Sequence, residues 1–557
     1  MQDGITRHFA TLGHRQVHYR RAGQGAPVLL LHPSPESSAA FIPLIARLAQ
    51  RFTVIAPDTP GNGFSAPLDA EWPEMAAFAD NVVALMDALA IPRAAIYGYH
   101  TGALCALELA RRHPARLALC VANGYLHMPE AIRRDIVENY FVPLAPIDWS
   151  GSHLTWLWSR MREQWNFFPW YKKTLAYRGA SDPPDALGLD RAVRNMLEAG
   201  DGYRGAYRAA FTFDAPQAVQ QALAPTLITC PRDDILFPSL QAMPIPADCV
   251  RVEPAETLAA CEDLLERALA EAAPDLPTPP TLPTAPIDGQ VWSDTIQIEG
   301  LSLHARRSVT GAGRPVVFVH DVTGSSRCWD WLMAAFVGAR PVIGIDLAGR
   351  GESDPWPDSV APTIAAQSGM LAAALDAIGY RDIDLIADKD GAAIAVALAA
   401  SRPGAVVHLI LLEPPSRPAR LAPSLVPDVA GGHLLTAWHA VRDRALFDPW
   451  HDRSHAAAIT WREPDLDPAR VHRRTLALLA CAELLPALEA SSRSDISDDI
   501  ELASVPVLVG CPHSLATQRI ADARPHIRVA ELTPLDPARF AADALAFFDD
   551  NFPATPA

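Results

Sequence analysis

The chain has little of what marks a secreted, membrane-spanning or nucleic-acid-binding protein. Its eight cysteines, at 105, 120, 230, 249, 261, 328, 481 and 511, form no CxxC pair and no zinc-type spacing. Several lie inside apolar runs such as "ALCVA", which predicts reduced core thiols. No run reaches the ~18 apolar residues that a membrane span requires. The opening "MQDGITRHFATLG" has no apolar signal core, so the expected location is cytoplasmic. Lysine and arginine total 47 against 64 acids, a net charge of −17, and no basic stripe occurs. Such a chain repels phosphate backbones and anionic lipid, so neither nucleic acid nor membrane is an expected partner.

What is present is globular: 557 residues, 49% apolar and 20% charged, enough for two or three domains. Residues 273–287, "APDLPTPPTLPTAPI", carry six prolines in fifteen positions. Neither a helix nor a central strand tolerates that, which predicts a semi-extended linker. The expected domains are therefore 1–272 and 288–557.

The two halves match each other. "VLLLHPSPESS" pairs with "VVFVHDVTGSS", and "VIAPDTPGNGFS" with "VIGIDLAGRGES", both at an offset of 288. "IYGYHTGALCALELA" pairs with "LIADKDGAAIAVALA", which sets His100 against Lys389. "GSHLTWLWSRMREQWNFFPW" pairs with "GGHLLTAWHAVRDRALFDPW", which sets His153 against His433 and Trp158 against Trp438. Ordered matches with slowly drifting offsets predict a tandem duplication. In each half short apolar runs alternate with amphipathic helices, the pattern of a mostly parallel, doubly wound α/β sheet. Helical, Trp-rich stretches at about 135–222 and 416–495 interrupt it.

The order strand, "HPSP", strand, "DTPGNGFS", strand, "GYHTG", helix, insertion, "CPRDDILFP" resembles the α/β-hydrolase fold superfamily, and the resemblance covers nearly all of each half. It implies two hydrolase-like domains with a helical cap over each pocket. It also implies a nucleophile at the centre of G-x-S-x-G, a late acid and a later histidine. Here the nucleophile position holds His100 in one half and Lys389 in the other. The acid pattern selects Asp234 in the first half and meets Leu515 in the second. No histidine follows at the base position of either half; in the second the aligned residue is Asp536. A serine mechanism needs a hydroxyl and a base within reach of it, so an ordinary serine esterase is not expected.

The resemblance leaves a different set: His100 as base or nucleophile, and Asp234 orienting it. Thr101 and the His32–Pro35 turn would supply oxyanion donors. Pro33 and Pro35 lack an N–H, so Ser34 is the expected donor there. His153 is open to two readings, a second acid/base over the pocket or a structural bridge between insertion helices. Trp158 and its neighbouring tryptophans predict an apolar pocket roof. In the second half Lys389 is expected to pair with Glu413, near His433, in a pocket without acyl chemistry. Scaffold, ancillary binding domain and half of a pseudo-dimer are the roles open to that half, and oligomeric state is left open. No metal or other cofactor is expected. The reading is an enzyme acting on a small apolar ester-like or carbonyl substrate, hydrolase or lyase; the alternative is a catalytically degenerate ligand-binding or scaffold protein.

Overall fold

The computed structural model describes residues 4–179, 182–272, 276–357, 360–414, 423–481, 505–511, 514, 517–518, 520–521 and 527–550. Leu515 and parts of the stretch 416–495 lie outside them. Two compact units form. One comprises 2–145 and 156–285, the other 146–155 and 286–557 together with Met1.

The first unit is built on an eight-stranded sheet. Its strands are β1 (Thr6–Leu12), β2 (Arg15–Ala22), β3 (Pro27–Leu31), β4 (Thr53–Pro57), β5 (Ala94–Tyr99), β6 (Leu117–Asn123), β7 (Thr226–Thr229) and β8 (Val250–Val252). The spatial order is β1-β2-β4-β3-β5-β6-β7-β8. β1 and β2 form an antiparallel hairpin, and β2 joins β4 antiparallel. From β4 onward every pairing is parallel. β3, β4 and β6 are buried along their whole length, and almost wholly apolar, because both faces are covered. Helices Met75–Ala88 and Thr101–Arg112 cover one face, and Ile42–Leu48 and Leu258–Ala272 the other. Five helices, from Glu130–Asn139 to Ala215–Gln220, lie between β6 and β7.

The second unit repeats the plan with β9 (Trp292–Ile298), β10 (Leu301–Ser308), β11 (Val316–Val319), β12 (Val342–Ile345), β13 (Ile383–Asp388), β14 (Val406–Leu412), β15 (Val507–Val509) and β16 (Arg528–Val529). Their order is β9-β10-β12-β11-β13-β14-β15-β16, the same permutation.

The proline-rich stretch is extended but docked. Arg21 donates to the carbonyls of Pro279 and Pro280 at 2.6 and 2.7 Å, and Gly25 N donates to Thr278 at 2.9 Å. Proline removes N–H donors but leaves carbonyls bare, and the buried Arg21 side chain satisfies two of them.

Candidate functional site

β5 ends at Tyr99, and the helix Thr101–Arg112 begins two residues later. His100 makes the turn with φ 48° and ψ −110°, a strained backbone for a residue with a Cβ. Its N–H is held by Asn123 O at 2.9 Å. The glycines either side are steric requirements. A Cβ on Gly98 would collide with the Gly102 carbonyl, and one on Gly102 with Leu31 O of β3. Gly102→Ala is therefore expected to destabilise the first unit by roughly 1–3 kcal/mol, measurable by urea titration, because backbone cannot yield as a side chain can.

The turn delivers His100 onto Asp234. Nε2 lies 2.8 Å from Asp234 Oδ2, which also accepts the Tyr99 hydroxyl at 3.2 Å. Oδ1 accepts Leu236 N at 2.8 Å. Burial pushes the Asp234 carboxyl up, but the hydrogen bond and charge of His100, with Leu236 N–H and Tyr99, outweigh it and leave it below the ordinary range. An ionised carboxylate only accepts, so Nε2 carries a proton, and in the neutral form of the ring the lone pair lies on Nδ1. The His100 side chain is 30% exposed against 7% for Asp234, so the ring is the accessible member. Gly124, at the end of β6, leaves room for that ring: a Cβ there would meet His100 Cδ2 at 3.3 Å.

A depressed carboxylate stabilises the fold above its unfolded pKa and loses that contribution as pH falls through the folded value. Acid unfolding of Asp234→Asn is accordingly expected to be less steep below about pH 4 than that of the wild type. Superimposable acid limbs in pH-dependent denaturation would show that the pair adds nothing.

His32 has a structural role. Its Nε2 accepts Thr59 N at 2.8 Å and its Nδ1 donates to Pro33 O at 2.8 Å, so both nitrogens are occupied and the "HPSP" turn is fixed. The same bonds recur at His320, with Leu347 N and Asp321 O. Asp58 holds buried His18 at 2.8 Å, Ser38 N at 2.7 Å and Phe64 N at 2.9 Å. Asp346 does likewise with His304, Ser326 N and Glu352 N. The Ser34 hydroxyl is buried without a partner among the described residues, beside a cis bond to Pro35. Thr101 is the first helical residue, where an N–H has no intrahelical acceptor.

Other expected positions fall elsewhere. His153 belongs to the second compact unit and does not join His100. Its Nε2 lies 3.0 Å from His472 Nδ1, its ring stands edge-on to Trp438, and burial lowers its pKa to about 4. The bridging role fits this and the acid/base role does not. Trp158 is core, fully buried. Trp149 is 72% exposed and Trp165 41%, and Trp170 stacks under the Arg160 guanidinium at 4.1 Å, so these residues do not form a roof. Amphipathic periodicity shows that a residue is covered, not what covers it. His433 bonds with Asp428 at the start of helix Gly432–Leu446 and is not among the residues that line the cavity over Lys389. Asp536 caps helix Pro537–Phe548 by accepting Arg539 N at 3.1 Å.

The second turn repeats the geometry with other chemistry. Lys389 has φ 47°, and its N–H is held by Leu412 O at 2.9 Å. Nζ lies 3.2 Å from Asp388 and 3.3 Å from Glu413, the residue that follows β14 as Gly124 follows β6. Burial alone would lower the Lys389 pKa, but the two carboxylates raise it, so the amine stays charged and is no nucleophile. A cavity of about 410 Å³ opens above it. Sequence reasoning placed a pocket at Lys389 and Glu413, both of which line this cavity, and missed two of its arginines, Arg444 and Arg474. It also missed Tyr99, although its place beside His100 in "GYHTG" was a usable signal. Among the described residues no group of three or more His, Cys, Asp or Glu is placed to hold a metal. No described helix is long and apolar enough to cross a membrane.

A family profile described as alpha/beta hydrolase fold matches residues 26–141, which span β3, the "HPSP" turn and the His100 turn. The fold is that of the α/β hydrolases. Among curated relatives, Lipase LipV of Mycobacterium tuberculosis is 33% identical over 169 residues, 30% of this chain and 58% of the lipase. A putative carbamate hydrolase, RutD, of Caulobacter vibrioides is 29% identical over 242 residues, 40% of this chain and 79% of that protein. An uncharacterized mycobacterial protein is 40% identical over 122 residues, and there the chain spans only 36% of the relative's length. A crystal structure of the enol-lactonase from Burkholderia xenovorans LB400 aligns with 47% of this chain and 96% of its own, at 19% identity and a TM-score of 0.34. The α/β-hydrolase assignment thus sits on the half that carries His100 and Asp234.

Proposed function

We propose that the first unit is a hydrolase-type catalyst in which a His100–Asp234 dyad replaces the serine-based triad. The observation that carries this reading is the 2.8 Å contact between His100 Nε2 and Asp234 Oδ2 at the α/β-hydrolase nucleophile turn. A small, largely apolar ester-like or carbonyl substrate enters beside the exposed edge of the ring. Nδ1 removes a proton from water as the water oxygen adds to the carbonyl carbon. Asp234 stabilises the imidazolium, which offsets the unfavourable helix dipole at this N-terminus. The tetrahedral oxyanion is received by backbone N–H groups, with Thr101 and Ser34 in that role. Collapse expels the alkoxide, and the imidazolium returns the proton to it. Hydrolases among the curated relatives support the reaction class.

Duplication of one ancestral domain accounts for the second unit. The Asp58–His18–His32 and Asp346–His304–His320 networks support it, since shared packing alone would not demand the same polar bonds. A second reading, a ligand-binding protein without turnover, is favoured by one observation: neither turn carries a hydroxyl or thiol at its central position, which holds His100 or Lys389. A panel of esters, lactones and C–C-cleavable diketones, run on wild type and His100→Ala, separates the two. Turnover lost in the variant supports the dyad, turnover unchanged overturns it, and saturable binding without turnover supports the second reading.

A further inference from the structure

The cavity in the second unit, about 410 Å³, is within the range of small-molecule sites. Its inner charges cancel. Arg444, on helix Gly432–Leu446, is answered by Asp390 at 2.9 Å and Asp321 at 3.2 Å. Lys389 lies between Asp388 and Glu413, and Glu413 also takes Arg462 at 2.8 Å. Arg474, on helix Pro468–Leu479, shares Asp465 with Arg470, at 3.0 and 2.8 Å. Five cations thus meet five carboxylates. The other acids of the described lining, Glu463, Glu531 and Asp536, are exposed, where water and salt screen them. They disfavour an anion without holding a cation inside. An ion of either sign in the interior lacks a counter-charge and carries its desolvation cost unrelieved. The ligand that fits is uncharged.

Cancelled charge still leaves hydrogen-bonding capacity. Among the described residues Arg444 is bonded only through Nη2 and Arg474 only through Nη1. The Asp388 carboxylate accepts from Lys389 alone. The cavity therefore offers donors and acceptors together, and a hydroxyl both donates and accepts at one atom. Set between a guanidinium and a carboxylate it makes both bonds at once, and each strengthens the other. The walls supply flat apolar surface from Trp329, Trp331 and Trp461. Two of these rings are fixed before any ligand arrives. The Trp331 indole N–H donates to Cys328 O at 3.1 Å, and the Arg470 guanidinium stacks 4.9 Å from the ring centre. Trp329 packs on Phe318 with centroids 5.3 Å apart. Rings already in place spare a ligand the cost of ordering them. A pyranose, with hydroxyls at its edge and C–H groups on its faces, matches both features. We propose that this cavity binds an uncharged sugar, its hydroxyls bonded by Arg444, Arg474 and Asp388 and one ring face laid on the tryptophan wall. The site lies in the second unit and does not rest on turnover at His100.

The test is calorimetry on the full chain with glucose, galactose, N-acetylglucosamine and cellobiose, beside glucuronate, glucosamine and benzyl alcohol. Saturable binding of at least one of the four neutral sugars is expected, with glucuronate and glucosamine at least about 10-fold weaker than that sugar. Trp461→Ala is expected to weaken the sugar by about 10-fold or more, while His100→Ala leaves it unchanged. Should Trp461→Ala fail to fold, Arg474→Gln removes open donors while Arg470 still answers Asp465, and is expected to weaken binding by about 3-fold or more. The proposal is overturned if none of the four neutral sugars saturates up to roughly 50 mM, or if the folded Trp461 or Arg474 variant binds as the wild type does. Loss of binding in His100→Ala overturns the separate site. Glucuronate or glucosamine binding as tightly as the neutral sugar overturns the uncharged assignment, and tighter binding of benzyl alcohol overturns the role of the hydroxyls.

Discussion

Replacing His100 by alanine is expected to lower kcat on whichever ester or carbonyl substrate the panel identifies by between about 100- and 10,000-fold, the range associated with loss of a positioned general base. KM should change little, because the ring acts on water and not on the apolar body that supplies binding. The fold should survive. Alanine has the same Cβ as histidine, and the strained φ of 48° is imposed by the bond from His100 N to Asn123 O and by the glycine packing around it. His100→Ser is the informative companion. It restores a hydroxyl to the turn but no base, since Asp234 would face a serine and no late histidine exists. It should therefore remain as inactive as His100→Ala. A serine variant more active than wild type would mean that a base elsewhere serves the turn. Asp234→Asn keeps a hydrogen-bond acceptor yet loses the charge that stabilises the imidazolium. It should lower kcat by a smaller factor and displace the pH–rate profile.

Much of this site was legible because its parts are close in sequence or fixed by turn geometry. "GYHTG" requires its glycines for contacts made within one strand–turn–helix unit and with the neighbouring strand. The family pattern that "CPRDDILFP" resembles singled out Asp234, and the pattern is readable because the acid lies a few residues after β7. The two sheets were visible as apolar runs, since strands covered on both faces must be apolar throughout. The failures at His153 and Trp149 have one cause. Both were placed over the first pocket because they follow β6 in the chain, yet residues 146–155 pack within the other unit. A linear pattern gives the covered face of a helix and says nothing of the covering partner. The pocket at Lys389 was expected, but Arg444 and Arg474 in its lining were hidden for a related reason. They come from two separate helices whose register nothing local fixes.

The loops "GNGFS" and "GRGES" look at first like glycine-rich phosphate cradles, and the structure shows why they are not. In each a loop N–H, Phe64 N or Glu352 N, already has an anion, the carboxylate of Asp58 or Asp346. Gly63 and Gly351 have φ near 50°, and a Cβ at either would strike that carboxylate, so the chain closes on it as it would on a phosphate. Burial opposes ionisation of Asp58, but His18, His32 and Ser38 N–H hold its pKa far below the ordinary value. The carboxylate is therefore an internal ligand that fixes the hairpin strand β2, the helical turn that begins at Ser38 and the glycine loop at one point. Asp58→Ala should cost about 3–5 kcal/mol, the penalty for leaving one member of a buried charged network unanswered. The loss comes from three directions: His18 Nδ1, Ser38 N and Phe64 N all lose their acceptor. Urea unfolding of Asp58→Ala, His18→Ala and the double variant measures the coupling. A double variant less destabilised than the sum of the singles by more than about 1 kcal/mol is the expected result. Additive effects would show that His18 and Asp58 stabilise the fold separately, and the common network in the two units would then reflect packing alone.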